Sequence, residues 1–318
     1  MAATTASLLT TNKLNYQGRW IATSQNETPL ISLITNSMMD REGSPFVNVG
    51  SSKFTMGQTY SHAAPSQGGR SENAMFNPPD STIFLTTQEV GYTQAIQRAV
   101  KISPRKLKDY SISGNVIMDD IINLPEWDMQ INANLESIRL ELEYSALYGV
   151  EVDDSDPDVA SQMKGLFTAI TTNAIDAGGS AISKAIFEES LIVAMKGNGA
   201  NLRNPVVIAP YKQMIRLQNL YTNTPMSANI GGANLVRLIV PTVGDVLLVP
   251  SVRVASTSIG LFDLSWLNIV SNTQPGQNQI SIVDSQTVTR GVLKDILVDA
   301  GLDFGHESKH GAITNLAA

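Results

Sequence analysis

At 318 residues the chain is long enough for a sizeable core and two lobes, and a net charge of −7 with a pI near 5.0 argues against a nucleic-acid-gripping basic face, though not against a protein that encloses nucleic acid. The absence of cysteine excludes disulfides, thiolate nucleophiles and cysteine metal sites. Charged residues make up only 16% of the chain, against about 25% in an average soluble protein, and a surface low in Lys, Glu and Asp is the composition of extensive subunit contacts.

Residues 1–45 are rich in Ser, Thr and Asn, with isolated apolar clusters at Trp20–Ile21 and Leu30–Ile34. They show neither a signal peptide nor the makings of a core of their own, and read as disordered or as an arm lying on something else. Short strands are predicted at 46–49 and 53–56, then a polar, Gly/Ser-rich stretch over 57–79, then strand-like composition again at 83–87 and 90–100. Two strand regions flanking so long a polar stretch read as an excursion away from the body.

The stretch NLPEWDMQINANLESIRLELEYSALYG (123–149) predicts one long helix over 124–148, about 38 Å from end to end. Asn123 and Glu126 form a capping-box pattern, Pro125 suits the first turn, and Gly149 is the expected left-handed stop. Trp127, Ile131, Leu135, Ile138, Leu142 and Ala146 share one face; Met129, Ala133, Leu140, Tyr144 and Leu147 share a second, nearly opposite. Two apolar faces fit a helix between layers, whether of its own domain or of its domain and a neighbouring subunit.

An acidic loop follows (151–158), then 163–172, a Gly178–Gly179 turn and a helix over 180–196 stopped by Gly197. A buried strand is expected at 204–209, a short helix at 210–220 and a polar Gly-rich tip at 221–234. Strands are predicted at 235–240, 245–249, 251–254, 259–264, 280–283 and 292–299. The class is α+β.

Catalytic and metal patterns are thin. The run Asp153, Asp154, Asp156, Asp158 has Val159 and Gly165 where a calcium loop needs Gly and Glu, so a solvated turn is expected. His306 and His310 lack an HExxH context and read as surface or strand-end residues; His62 has no evident partner. Gly197-Asn-Gly199 lacks the rest of a phosphate loop, and Glu136, Glu141 and Glu143 read as solvated or interface edges of the long helix. No catalytic residue, cofactor or metal is assigned.

Several stretches, in order, resemble the major capsid proteins of tailed phages: GYTQAIQRAVKIS (91–103), LESIRLELEYSALYGV (135–150), MKGLFTAITTN (163–173), the run 182–214 containing GNGANLRNPVVIAPYKQM, and HESKHGAITNL (306–316), the last with Lys309 in place of the family's usual Ala. The resemblance covers roughly 85–318 and rests on order and spacing rather than on one specific motif. It implies the Hong Kong 97-type fold: an N-terminal arm (1–45), an extended loop (46–103), a peripheral domain (104–199) with a spine helix (124–148), an axial domain (200–265) and C-terminal strands (266–318) returning to the peripheral domain. It further implies an icosahedral shell of hexamers and pentamers, enclosing double-stranded DNA without sequence-specific contact, assembled in the host cytoplasm with portal and scaffold or decoration proteins and no membrane. Phe54, Tyr60, Arg70, Glu72 and Phe76 of the loop, with Tyr221 and Met226 of the axial tip, are then the expected inter-subunit contacts. The alternatives are a tail or sheath component and a carboxylate-based hydrolase.

Overall fold

The computed structural model describes residues 19–20, 27–42, 44–62, 67–77, 83–102, 116–118, 122–124, 126–221, 226–230, 233–273, 280–285 and 292–318. Its centre is a seven-stranded sheet in the order Met226–Ile230, Ala233–Val240, Gly244–Pro250, Pro205–Ala209, Ile259–Asp263, Gly311–Thr314, Ala174–Asp176. Pro205–Ala209 is buried at every position, and its side chains alternate between two cores. Val206 and Ile208 belong to one apolar cluster, Val207 and Ala209 to the other. Leu247 and Val249 against Val246 and Leu248 repeat that alternation on the next strand. A pleated strand covered on both faces reads as an unbroken apolar run, which is why PVVIA and DVLLV stand out in the sequence.

One face of this sheet is closed by two helices. The first is π-helical over Ala185–Ile192 and α-helical over Val193–Gly197; the second is Tyr211–Leu220. Phe187, Leu191, Met195, Met214 and Leu217 fill the space beneath them. The other face belongs to a larger core with a second sheet, in which Val292–Asp303 pairs with Gln94–Ile102 on one side and with Ile280–Ser285 and Asn268–Ser271 on the other. Of residues 266–318, Gly311–Thr314 joins the seven-stranded sheet. The predicted strand at 251–254 is a set of bends instead.

Two helices pack with the second sheet. The spine helix runs Glu126–Tyr148, with Ile131, Ile138, Leu142 and Ala146 buried as spaced. Leu135 is only half-buried, because it lines a groove of about 600 Å³ with Ile31, Phe46, Ile280 and Val298. On the second face Leu147 is buried but Ala133 and Tyr144 are exposed, so this face is largely uncovered within the subunit. Asn123 lies in the strand Ile122–Leu124 rather than at the helix cap; Pro125 and the side chains of Trp127 and Met129 fall outside the described residues. Gly149 is not left-handed. Its missing side chain serves a backbone crossing: Gly165 N–H donates to Gly149 O at 2.9 Å, and a Cβ on Gly149 would stand 2.4 Å from Met163 O.

The arm helix, Pro29–Glu42, departs most from the sequence expectation for 1–45. Leu30, Ile34 and Met38 are fully buried against the spine and the strand Asn268–Ser271. At about 1.5–3 kcal/mol per side chain, this face is an integral part of the core.

Candidate assembly surfaces

Lys53–Tyr60 and Thr86–Tyr92 pair antiparallel into a two-stranded ribbon, from Lys53 opposite Tyr92 at its root to Tyr60 opposite Thr86 at its far end. The root is fixed to its own subunit. Phe54 is buried, its ring against Gly91 and Gly301, where a Cβ on Gly91 would meet it at 2.6 Å. Gly57 N–H donates to Gly305 O at 3.1 Å, and Glu89 faces His306 at 3.6 Å. Phe54, expected as an inter-subunit contact, is thus buried as a root anchor within its own subunit.

The far end is different. Tyr60, His62 and Phe84 meet edge-to-face, their ring centroids 5.1–6.1 Å apart. Ile83, Leu85 and Phe76 are each more than 80% exposed, and Met75 is 67% exposed. Ser71 caps the single turn Glu72–Met75 by accepting the Ala74 N–H, which presents Met75 and Phe76 to solvent beside the exposed Arg70 and Glu72. Among the described residues nothing in the subunit covers these side chains. Sequence reasoning missed Ile83–Leu85 by reading that segment as strand; it lies just outside the paired register.

The expected contacts at the other tip divide. Tyr221 is buried, and its hydroxyl donates to Glu188 Oε1 at 2.7 Å. Burial and the adjacent Glu188 raise its pKa. Within the subunit it is a core residue. Met226 pairs through its backbone with Arg237, and its side chain falls outside the described residues.

Two buried titratable groups sit at junctions between elements. Glu143, expected at a solvated or interface edge of the long helix, is fully buried. Its carboxylate accepts the N–H groups of Leu30 and Ile31 at 3.0 and 2.8 Å, capping the arm helix from the spine. Burial raises its pKa to about 7, against the lowering effect of those two bonds and of Arg139 and Arg253. One turn earlier, Arg139 donates to Thr28 Oγ1 and Ser32 Oγ.

His310, expected at the surface or a strand end, directly precedes the strand Gly311–Thr314 and is fully buried. Its Nδ1 accepts the Asp263 N–H at 3.3 Å, so Nε2 carries the proton and donates to Phe304 O at 2.9 Å. Burial lowers its pKa to about 4. Nearby, the Glu307 carboxylate takes donors from Thr171 and Thr172. Asp153, Asp154, Asp156 and Asp158 are exposed, and Ser52 donates to Asp154. Among the described residues no three His, Asp or Glu side chains group as metal ligands, and no helix is long and apolar enough to cross a membrane.

Solved structures resemble this one along its whole length. The capsid asymmetric unit of cyanophage A-1(L) has 14% identity and a TM-score of 0.65 over 100% of both chains. The capsid of the native GTA particle has 14% identity and a TM-score of 0.57, over 100% of this chain and 98% of that one. The SrpI encapsulin of Synechococcus elongatus PCC 7942 has 13% identity and a TM-score of 0.57, over 93% and 92%. Comparison with curated protein sequences gave no match. The arm, ribbon, spine helix and two sheets are the Hong Kong 97-type fold of shell-forming proteins. Within that class the family is specific: the model of the SU10 major capsid protein matches residues 3–317, and the chain belongs to that family. It is a structural protein of a phage head shell, and its assembly with itself builds that shell.

Proposed function

We propose that the chain forms the hexamers and pentamers of an icosahedral head shell around double-stranded DNA, with the ribbon tip as a principal contact between copies. The uncovered apolar tip carries this reading. Eight residues of strand carry it about 26 Å from the Phe54 root, far enough to reach a neighbour and too far to be covered by its own core. Tyr60, Phe76 and Phe84 supply area there, and Arg70 and Glu72 supply charge pairing that fixes register. Many such contacts act together through closed symmetry. With a net charge of −7, DNA is held by enclosure rather than by sequence-specific contact. Assembly takes place in the host cytoplasm, with portal and scaffold or decoration proteins as further partners.

The two apolar clusters favour a division by core over one by chain order. The peripheral unit takes the arm helix, the spine and the second sheet; the axial unit takes 174–263 with the closing strand Gly311–Thr314. The test is Phe76→Ser with Phe84→Ser. Both side chains are exposed, so the subunit is expected to stay soluble with unchanged circular dichroism and to lose shells in sedimentation and electron microscopy. Normal shells from the variant would overturn the reading; an unfolded variant would place the tip in the subunit's own core.

A further inference from the structure

Two surfaces of opposite charge lie on different elements of the chain. The first is a cleft of about 510 Å³ between the arm helix and the seven-stranded sheet. Three arginines line it, Arg41, Arg203 and Arg237, against two aspartates, Asp40 and Asp245. Arg41 donates to Ser265 O at 2.7 Å, Leu267 O at 3.0 Å and Asn268 Oδ1 at 2.9 Å, and Arg237 faces Asp245 at 3.9 Å. Arg203 differs from both: among the described residues its guanidinium has no acceptor. Its place in the cleft is nevertheless built. The buried Leu202 holds a left-handed backbone, with φ 46°, that residues other than glycine rarely adopt. The turn is held by the buried Asp263, whose two carboxylate oxygens accept the Arg203 N–H at 2.9 Å and the Asn204 N–H at 3.1 Å. Strain of this kind persists only where its surroundings over-determine it, and here it fixes the base of an unpaired arginine.

The second surface is the acidic loop 151–158. Val152 and Gln162 close its base by an antiparallel bridge, and Ser161 Oγ donates to Thr93 O at 2.8 Å, which fastens it beside the ribbon root. Asp153, Asp154, Asp156 and Asp158 are all exposed. Ser52 donates to Asp154, Ser155 to Asp153 and the Asp158 N–H to Asp156, all of them neutral donors. Among the described residues no hydrogen bond or ion pair joins this loop to the arginines of its own subunit's cleft.

We propose that the acidic loop of one copy seats in the arginine-lined cleft of the next, with the Asp156 and Asp158 carboxylates as the partners of Arg203. The inference goes beyond the ribbon tip and rests only on assembly of the chain with itself. A guanidinium offers a planar fork that a carboxylate fills with two parallel hydrogen bonds. The two faces differ, so the contact is head-to-tail, the kind that closes into rings. Asp245 is turned to Arg237, which leaves Arg203 as the charge to be met. Duplex DNA, whose phosphates recur along its whole length, would also face Asp40 and Asp245; a turn with two carboxylates at its tip need face only Arg203.

Charge exchange in the full-length chain tests the pairing, with assembly read by sedimentation and electron microscopy where the wild type forms shells. Arg203→Asp, and separately Asp156→Arg with Asp158→Arg, are each expected to lower the yield of shells by about tenfold or more, because every copy loses the contact at once. All three side chains are exposed, so the subunits are expected to stay soluble with unchanged circular dichroism. The three substitutions in one chain are expected to restore shells. Normal shells from either reversal, or no recovery in the combination, would overturn the proposal. So would a normal yield of shells that hold less DNA in Arg203→Asp, which would assign the cleft to phosphate. If a reversal does not fold, cross-linking decides. The chain has no cysteine, so Arg203→Cys with Asp156→Cys, treated with a short bis-maleimide, reports this contact alone. A ladder of covalent oligomers on a denaturing gel supports it; monomer alone, or dimer alone, refutes it.

Discussion

The arm–spine junction and the junction between the two sheets solve one problem with opposite chemistry. Each uses a fully buried titratable side chain to satisfy two backbone groups from different elements. At the arm–spine junction both groups are donors, the N–H of Leu30 and of Ile31, and the matching side chain is the acceptor Glu143. Between the sheets one group is a donor, Asp263 N–H, and the other an acceptor, Phe304 C=O. A neutral imidazole with one N–H and one bare nitrogen matches that pair, and a carboxylate cannot. Glu143 can serve in either protonation state. His310 can serve in only one, since protonation would point a second N–H at the Asp263 N–H. The first junction is therefore adjustable and the second is fixed.

The largest expected effect tests the fixed junction. His310→Ala leaves Asp263 N–H and Phe304 C=O unpaired in the interior and opens a cavity beside Phe262 and Phe304. A loss of about 3–5 kcal/mol is expected in urea unfolding. A loss below about 1 kcal/mol would mean that water replaces the ring at no cost and that the junction is held by packing alone.

The second effect sets the junctions against each other through pH. The lowered pKa of His310, about 4 against 6.5, gives stability that is present above pH 6.5 and lost as pH falls through 4. The raised pKa of Glu143, about 7 against 4.5, gives stability that is present below pH 4.5 and lost as pH rises through 7. Each is worth up to about 3 kcal/mol. Between pH 4.5 and 6.5 the two slopes oppose and nearly cancel, so wild-type stability is expected to be close to level there. Glu143→Gln is expected to become more stable with rising pH across that window, and His310→Ala less stable. Asp303, raised by burial, adds to the Glu143 side, while Asp263 and Glu307, held low by hydrogen bonds despite burial, act at more acid pH. Equal slopes in both variants would refute the assignment.

Neither junction was legible from sequence, and the reason is physical. Glu143 sits in the same polar strip of the spine as Asp128, Asn132 and Arg139, and helical spacing tells which residues share a strip, not what lies over it. What lies over it is the arm helix, itself hidden by a Ser/Thr/Asn-rich stretch and capped from a distance. The spacing of Leu30, Ile34 and Met38 was the available signal for it. His310 needed knowledge of the two sheets meeting at Asp263 and Phe304. The spine helix and the strand Pro205–Ala209 were legible because their burial is written in local periodicity and in an unbroken apolar run. Gly149 shows the intermediate case: its position at the helix end was read correctly, but its role there is to let Gly165 approach.

The smallest effect asks whether the two junctions communicate. Arg41 extends from the C-terminal end of the arm helix to Ser265 O and Leu267 O, in the same loop as Asp263, whose carboxylate accepts the Ser265 N–H at 3.0 Å. Its clamp is partly solvent-exposed, so Arg41→Ala is expected to cost about 1 kcal/mol. The informative quantity is the coupling energy in double-mutant cycles. Glu143 meets the other end of the helix, some 18 Å away along its axis, and sites this far apart without shared partners add to within about 0.5 kcal/mol. Arg41 and His310 share the Asp263–Leu267 segment, so their cycle is expected to show coupling above that level. Coupling with His310 and additivity with Glu143 would make the arm helix a rigid strut fastened permanently to the inter-sheet junction and adjustably to the spine. Additivity in both cycles would separate the junctions, with Arg41 holding only the end of its own helix.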